Sequence, residues 1–226
     1  MTAVPFCRIA RGYSAYGVAR LADHALEVDS CEGLFLILRD DVNLVVWRRG
    51  RPPEISEIVN AAPDGRTLIL EDQPLYLRYN SLTADVHALL AGLPAGGLAD
   101  DIEMLASAYM RISGLGAARP RLERVETDSC RLFHTDTVGL RLICSYAGPG
   151  TEWLPDADVA RAALGKGVNA AICPDMSALR SISTGDVAVM KGEAWPGNAG
   201  RGLVHRSPPI AGTGLRRLVF TLDACR

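Results

Sequence analysis

Residues 130–146 read Cys130-Arg131-Leu132-Phe133-His134-Thr135-Asp136-Thr137-Val138-Gly139-Leu140-Arg141-Leu142-Ile143-Cys144-Ser145-Tyr146, and this stretch decides the reading of the chain. Two short β-like runs, Cys130 to Phe133 and Leu140 to Tyr146, flank a His-x-Asp triplet and a glycine. On a strand, residues two apart point to one face, so His134 and Asp136 converge while Thr135 turns away. Further β-like runs lie on either side: Leu122 to Glu126, Val187 to Lys191 and Leu218 to Leu222. Short strands separated by Gly/Pro turns predict a sandwich or barrel from Arg119 onward. One insertion interrupts them, a short helix over Val159 to Leu164 behind Asp156 and Asp158, closed by Gly165.

The half before Arg119 has another texture. Leu34 to Leu38 and Leu44 to Trp47 are apolar runs that predict two strands around an Arg39-Asp40-Asp41 turn. Pro52-Pro53 before Glu54 to Val59 is a helix start, with acids at the positive end of the dipole. Ser81 or Thr83 caps a helix through Val86, Leu89 and Leu90 that Gly92 and Pro94 stop. A longer helix covers about Ala99 to Ile112, with Ile102, Leu105, Ala106 and Tyr109 on one face and Gly114 and Gly116 beyond its end. The fold expected is α+β: a helix-rich N-terminal support over residues 1–118, packed on a double-stranded β-helix (jelly-roll) core over 119–226, as one domain.

His205 follows Asp136 by 69 residues and is one of only four histidines in the chain. Two histidines and one carboxylate in this pattern form a facial triad, which holds non-heme Fe(II) and leaves positions open for co-substrate and oxygen. The metal needs neutral imidazoles and an ionised carboxylate, both available at neutral pH. A dicarboxylate such as 2-oxoglutarate would chelate the metal by its keto-acid end and need a cation for its far carboxylate. Arginine binds a carboxylate bidentately through its planar fork. In Arg216-Arg217-Leu218-Val219-Phe220-Thr221, Arg217 and Thr221 share a strand face, whereas Arg216 points the other way unless a bulge intervenes. Arg217 is therefore preferred as the anchor, with Thr221 as a second donor; a surface pairing of Arg217 with Asp223 is the bland alternative.

His134-Thr135-Asp136, Gly185-Asp186 before a strand, His205 and Arg217 resemble the Fe(II)/2-oxoglutarate-dependent dioxygenases over roughly residues 119–223. Over most of its length the chain also resembles a bacterial domain family of unknown function, through His134 to Arg141, Tyr146 to Trp153, Lys191 to Trp195 and His205 to Pro209. The first resemblance implies a jelly roll and a cytoplasmic oxygenase whose catalytic metal is held by His134, Asp136 and His205. It further implies 2-oxoglutarate as co-substrate, O2 as oxidant, and hydroxylation of a C–H bond in a small molecule or protein side chain. The second, some of whose members accompany zinc limitation, implies zinc as an alternative metal. A cupin-like metalloenzyme that does not use 2-oxoglutarate and a non-catalytic metal-binding or sensing protein are thus the competing functions.

Composition narrows the partners. The 226 residues are 48% apolar and 22% charged, ordinary for a globular protein with a sizeable core. A net charge of −2 lacks the basic stripe of a nucleic-acid surface. No run approaches the ~20 apolar residues of a membrane span, and the N-terminus has no secretory segment. Six scattered cysteines without a CxxC suit a reducing cytosol rather than disulfides or a clustered zinc site. Either a monomer or a homodimer is compatible with an open jelly roll.

Weaker site candidates remain. Tyr146 is a candidate donor to a bound carboxylate, or a core tyrosine. Arg141, on the parity of Ile143, lines the pocket or its rim. Glu152, Trp153 and Trp195, with Lys191, Glu193 and Asn198 in the same loops, are candidates for substrate recognition by polar groups and an aromatic wall. His24 and His87 have no ligand-like neighbours, and Cys130 and Cys144 suit a β core.

Overall fold

The computed structural model describes residues 17–50, 75–93 and 96–224. The main sheet has eight strands: β1 (Val18–Ala22), β2 (Ala25–Val28), β3 (Leu44–Trp47), β4 (Leu77–Arg78), β5 (Ala117–Val125), β6 (Leu140–Ala147), β9 (Val187–Lys191) and β11 (Arg217–Ala224). Their order is β1-β2-β3-β9-β6-β11-β5-β4. A smaller sheet has the order β10-β7-β8, from β7 (Glu152–Trp153), β8 (Arg180–Ser181) and β10 (His205–Arg206). Two facing sheets with these connections form a double-stranded β-helix, to which β1, β2 and β3 add an extension beside β9.

Alternation along the strands separates two cores. Leu142, Cys144, Tyr146, Leu218, Phe220 and Leu222 face α1 (Leu82–Leu89) and α2 (Gly96–Ser113), whose Val86, Ile102, Leu105 and Tyr109 complete that layer. Ile143, Val219, Ala188, Met190, Leu44 and Val46 face the other way and meet Trp153 of the small sheet. A third cluster, Phe133, Leu154, Val204, Ile172 and Cys173, covers the outside of the small sheet with the 156–179 insertion. Thus Phe133, Leu154 and Val204 point outward, leaving His134, Trp153 and His205 to point between the sheets.

Three local expectations change. Leu34 to Leu38 is part of a 3-10 helix, Glu32–Leu38, rather than a strand. Strands β2 and β3 pair in parallel, and a parallel pair needs a long crossover; this segment supplies it, burying Leu34 and Ile37 three apart. Cys130 to Phe133 is no strand either: Cys130 has φ +57°, in the left-handed region. The insertion carries 3-10 turns at Asp156–Asp158 and Arg161–Ala163 in place of one helix, followed by α3 (Asn169–Ile172). The helix expected after Pro52-Pro53 lies outside the described residues. Helix α2 begins at Gly96, three residues before the expected start, and Gly114 (φ +70°) follows its end. Among the described residues, no helix is long and apolar enough to cross a membrane.

Candidate metal centre

His134 and His205 face each other across one antiparallel bridge, each backbone N–H donating to the other's carbonyl at 3.0 Å. Directly opposed residues share a sheet face, and the two ring centroids are 4.5 Å apart. Each Nδ1 lies against the carbonyl two residues earlier: Leu132 at 2.8 Å for His134 and Leu203 at 3.1 Å for His205. A carbonyl only accepts, so the proton sits on Nδ1 and Nε2 presents a lone pair. Burial pushes the His205 pKa down to about 4, against the pull of Asp136, so this ring is neutral at pH 7.

Asp136 completes the cluster; one ligand atom from each of the three residues lies within 4.8 Å of the others. Its Oδ1 accepts from Arg141 Nη1 at 2.8 Å. Its Oδ2 is buried without a hydrogen-bond partner and stands 3.5 Å from His205 Nε2. Two lone-pair atoms therefore face each other with no proton between them, an arrangement that a cation relieves. The residues fit a divalent metal by this test.

Asp136 lies beyond the bridge, in a loop held from outside. Glu193 N–H donates to the Asp136 carbonyl at 2.8 Å, and Gly192 N–H to that of Gly139 at 2.9 Å. A Cβ at Gly192 would sit 2.2 Å from the Val138 carbonyl oxygen and 2.6 Å from that of Asp136, so only glycine permits this approach. Glu193 also accepts from Gly200 and Gly202 N–H, bracing the loop that leads to His205. Asn198 donates to the Gly192 carbonyl at 3.0 Å. Glu193 and Asn198 thus shape the ligand loops rather than reaching toward a substrate.

Arg217 opens β11 and is only 2% exposed. Its Nε donates to the Pro149 carbonyl at 2.7 Å, its Nη1 to Ser207 Oγ at 3.2 Å, and its Nη2 to Ser145 Oγ at 3.2 Å and Thr151 Oγ1 at 3.3 Å. Among the described residues no carboxylate pairs with it, and burial lowers its pKa to about 10, partly offset by Glu152 and Glu123. It still carries its charge at neutral pH. Ser207 is two residues past His205, a span of at most ~7 Å. Gly148 (φ +72°) packs against the start of β11, since a Cβ there would meet the Arg216 carbonyl oxygen at 2.1 Å and Arg217 Cγ at 2.9 Å. Thr221 shares the Arg217 face, and its buried Oγ1 has no partner.

The other sequence candidates are placed differently. Arg216 is half exposed, and its Nε bonds Glu126 at 3.1 Å. Tyr146 lies on the opposite face of β6, where its hydroxyl donates to Asp101 Oδ2 at 2.5 Å, and burial raises its pKa well above the usual value. Glu152 points away from the cleft and pairs with Arg206 at 2.6 Å, while Arg206 covers the Phe133 ring. Trp153 is opposite His205 in register, edge-on to His24, and lines a cavity of about 230 Å3 with Glu27, Arg48 and Arg180. Trp195 is partly buried and packs on the helix-side core with Lys191 Nζ 5.3 Å from its ring centroid. Arg141 bridges Asp136 and Asp223; Asp223 therefore takes Arg141, not Arg217. His24 is buried, its pKa lowered chiefly by desolvation, and His87 is exposed. Cys144 is buried, which pushes its thiol up to about 12, whereas Cys130 is exposed. The hydroxyls of Ser145, Thr151 and Ser207 went unread in the sequence, although each shares the parity of a site strand residue: Ile143, Trp153 and His205.

Fold and site together define a jelly-roll protein with a candidate two-histidine, one-carboxylate metal centre. The family model described as "Protein of unknown function (DUF1826)" matches residues 29–223, and the chain belongs to that family. Among solved structures it is similar to the rice dioxygenase for auxin oxidation, with 18% identity, a TM-score of 0.50, and 88% of this chain and 81% of that one covered. It is also similar to the Arabidopsis thaliana dioxygenase for auxin oxidation 1 in complex with 2-oxoglutarate, at 15% identity and TM-score 0.36, covering 76% and 72%. For AviO1 from Streptomyces viridochromogenes Tue57 the values are 15%, 0.42, 87% and 96%. No curated protein sequence matches the chain.

Proposed function

We propose that this protein is a non-heme Fe(II)- and 2-oxoglutarate-dependent oxygenase acting on a small molecule or a protein side chain. The observation that carries the reading is Arg217, a buried cation with no carboxylate partner among the described residues, ringed by three hydroxyls. Burying an unpaired charge is costly, and a ligand carboxylate would both relieve that cost and use the guanidinium fork. His134 and His205 would hold the metal through Nε2 and Asp136 through Oδ2. Bound Fe(II) with 2-oxoglutarate supplies O2-driven oxidation of a C–H bond. Thr221 would add a hydrogen bond near the co-substrate, and the apolar wall of Trp153, Ile143 and Val219 would keep water out of the cleft. The dioxygenase activity for which the rice protein is named supports the same class of chemistry.

Anaerobic addition of Fe(II) and 2-oxoglutarate is expected to give a weak visible charge-transfer band and, in air, slow release of succinate. Failure to bind either component overturns the proposal. Activity that survives Arg217→Ala would point instead to a metalloenzyme that does not use 2-oxoglutarate. Tight zinc with no turnover would point to a binding or sensing protein.

A further inference from the structure

Among the described residues, Arg141 is the arginine of the cleft that touches a metal-ligand candidate, and its geometry assigns it a specific task. It stands opposite Asp223 in the β6–β11 register, so both side chains project from the same face of the sheet. Nε and Nη2 fork onto Asp223 at 2.7 Å each, and Nη1 reaches Asp136 Oδ1 at 2.8 Å. The Arg141 side chain is 16% exposed and each acid 11%. The fork fixes the guanidinium plane, so the Nη1 direction is set by the sheet and not by a loop.

We infer that Arg141, anchored by Asp223, is a positioning residue that occupies Oδ1 of Asp136 and so restricts this carboxylate to single-oxygen ligation through Oδ2. The inference rests on the metal reading above. A free aspartate can rotate, or close on a metal with both oxygens. With Oδ1 engaged, only Oδ2 is left, and that atom is the one without a partner beside His205 Nε2. Single-oxygen ligation keeps coordination positions open for other ligands. Charge points the same way: two carboxylates around one guanidinium leave a net negative site that favours a divalent cation. Lysine cannot replace the arrangement, because one ammonium cannot fork onto Asp223 and aim a fixed donor at Asp136.

Co(II) titration of the 226-residue chain, read by its visible d–d spectrum and by calorimetry, tests this without turnover. Wild type is expected to bind one Co(II), and His205→Ala none. Arg141→Gln is expected to lower affinity roughly 10- to 100-fold, the range for residues that orient metal ligands, and to change the spectrum at saturating Co(II). Asp223→Asn leaves Arg141 in place but loosens the fork; it should shift both readouts in the same direction by less, and Arg141→Lys should restore affinity only in part. A loss of fold alone would lower affinity but leave the saturated spectrum unchanged. Saturated spectra of Arg141→Gln and Asp223→Asn identical to wild type therefore overturn the inference while the metal reading stands. Wild-type protein that binds no Co(II) overturns both.

Discussion

The two faces of the main sheet solve the same problem in opposite ways. On the helix-covered face, Arg49 is half-buried, its side chain 9% exposed, and forks onto Asp101, gives Nε to the Gly185 carbonyl at 2.8 Å, and shares Asp101 with the Tyr146 hydroxyl. That network is closed: cation, anion and phenol satisfy one another. On the cleft face, Arg217 has only neutral acceptors, Asp136 Oδ2 and Thr221 Oγ1 have no partner, and Nε2 of His205 faces a carboxylate oxygen. Buried polar groups are normally paired, so Asp136 Oδ2 and Thr221 Oγ1, both without a partner on the face that carries Arg217, are candidate points of ligand contact. The same residue type, an arginine with its side chain largely covered, is paired with an acid on one side and has only neutral acceptors on the other.

Breaking the closed side should cost most. Asp101→Ala leaves Arg49 and Tyr146 without their acceptor and is expected to lose about 3–5 kcal/mol of stability, as removal of one partner of a buried pair does. Urea denaturation checks it, and a loss below ~1 kcal/mol would show that the network is not closed as described.

Acid should act on the open side next. The folded pKa of His205 is about 4 against an ordinary 6.5, so the unfolded chain takes up this proton first as pH falls. Metal-free protein should hold its full stability above pH ~6.5 and lose up to ~3 kcal/mol by pH ~4. His205→Gln, which cannot titrate, should flatten that window. An equally steep loss in the variant would assign the dependence to other groups.

Arg217→Met tests the contrast itself. Removing a buried cation with no acidic partner should leave metal-free stability within ~1 kcal/mol of wild type or raise it. Under the proposed function, 2-oxoglutarate is expected to raise the Tm of Mn(II)-loaded wild type, and the variant should lose that rise. Destabilisation as large as that of Asp101→Ala would erase the distinction between the faces. The smallest effect is expected at Thr221→Val, which removes a hydroxyl that bonds nothing. Metal-free stability should rise by no more than about 1 kcal/mol, while 2-oxoglutarate affinity falls a few-fold; unchanged affinity would remove Thr221 from the site.

Much of the site follows from parity, which is local. His-x-Asp, the facing of Arg217 and Thr221, and the outward turn of Arg216 all follow from a two-residue repeat along β strands. Parity also separates Tyr146 from Arg141 on β6, whose pairing with β11 is regular from Arg141 to Ser145 and shifts only beyond it. Less was legible where contacts join distant segments. Arg141 reads as a pocket or rim residue, and only the placement of Asp223 beside it, 82 residues on, shows what holds its guanidinium. Glu152 resembles a substrate contact until Arg206 is placed opposite it. Leu34 to Leu38 has the composition of a strand, and only the parallel pairing of β2 with β3 makes it a crossover.

By itself the sequence singled out the candidate metal-ligating and anion-binding residues, the strand and helix texture that predicts a jelly roll, and the side of each strand that a residue takes. These depend on residue type and short-range periodicity. Tertiary structure alone decided which charges are neutralised and which are left open. That outcome depends on register between strands remote in sequence, and on burial, which turns an ordinary arginine or aspartate oxygen into an unsatisfied one.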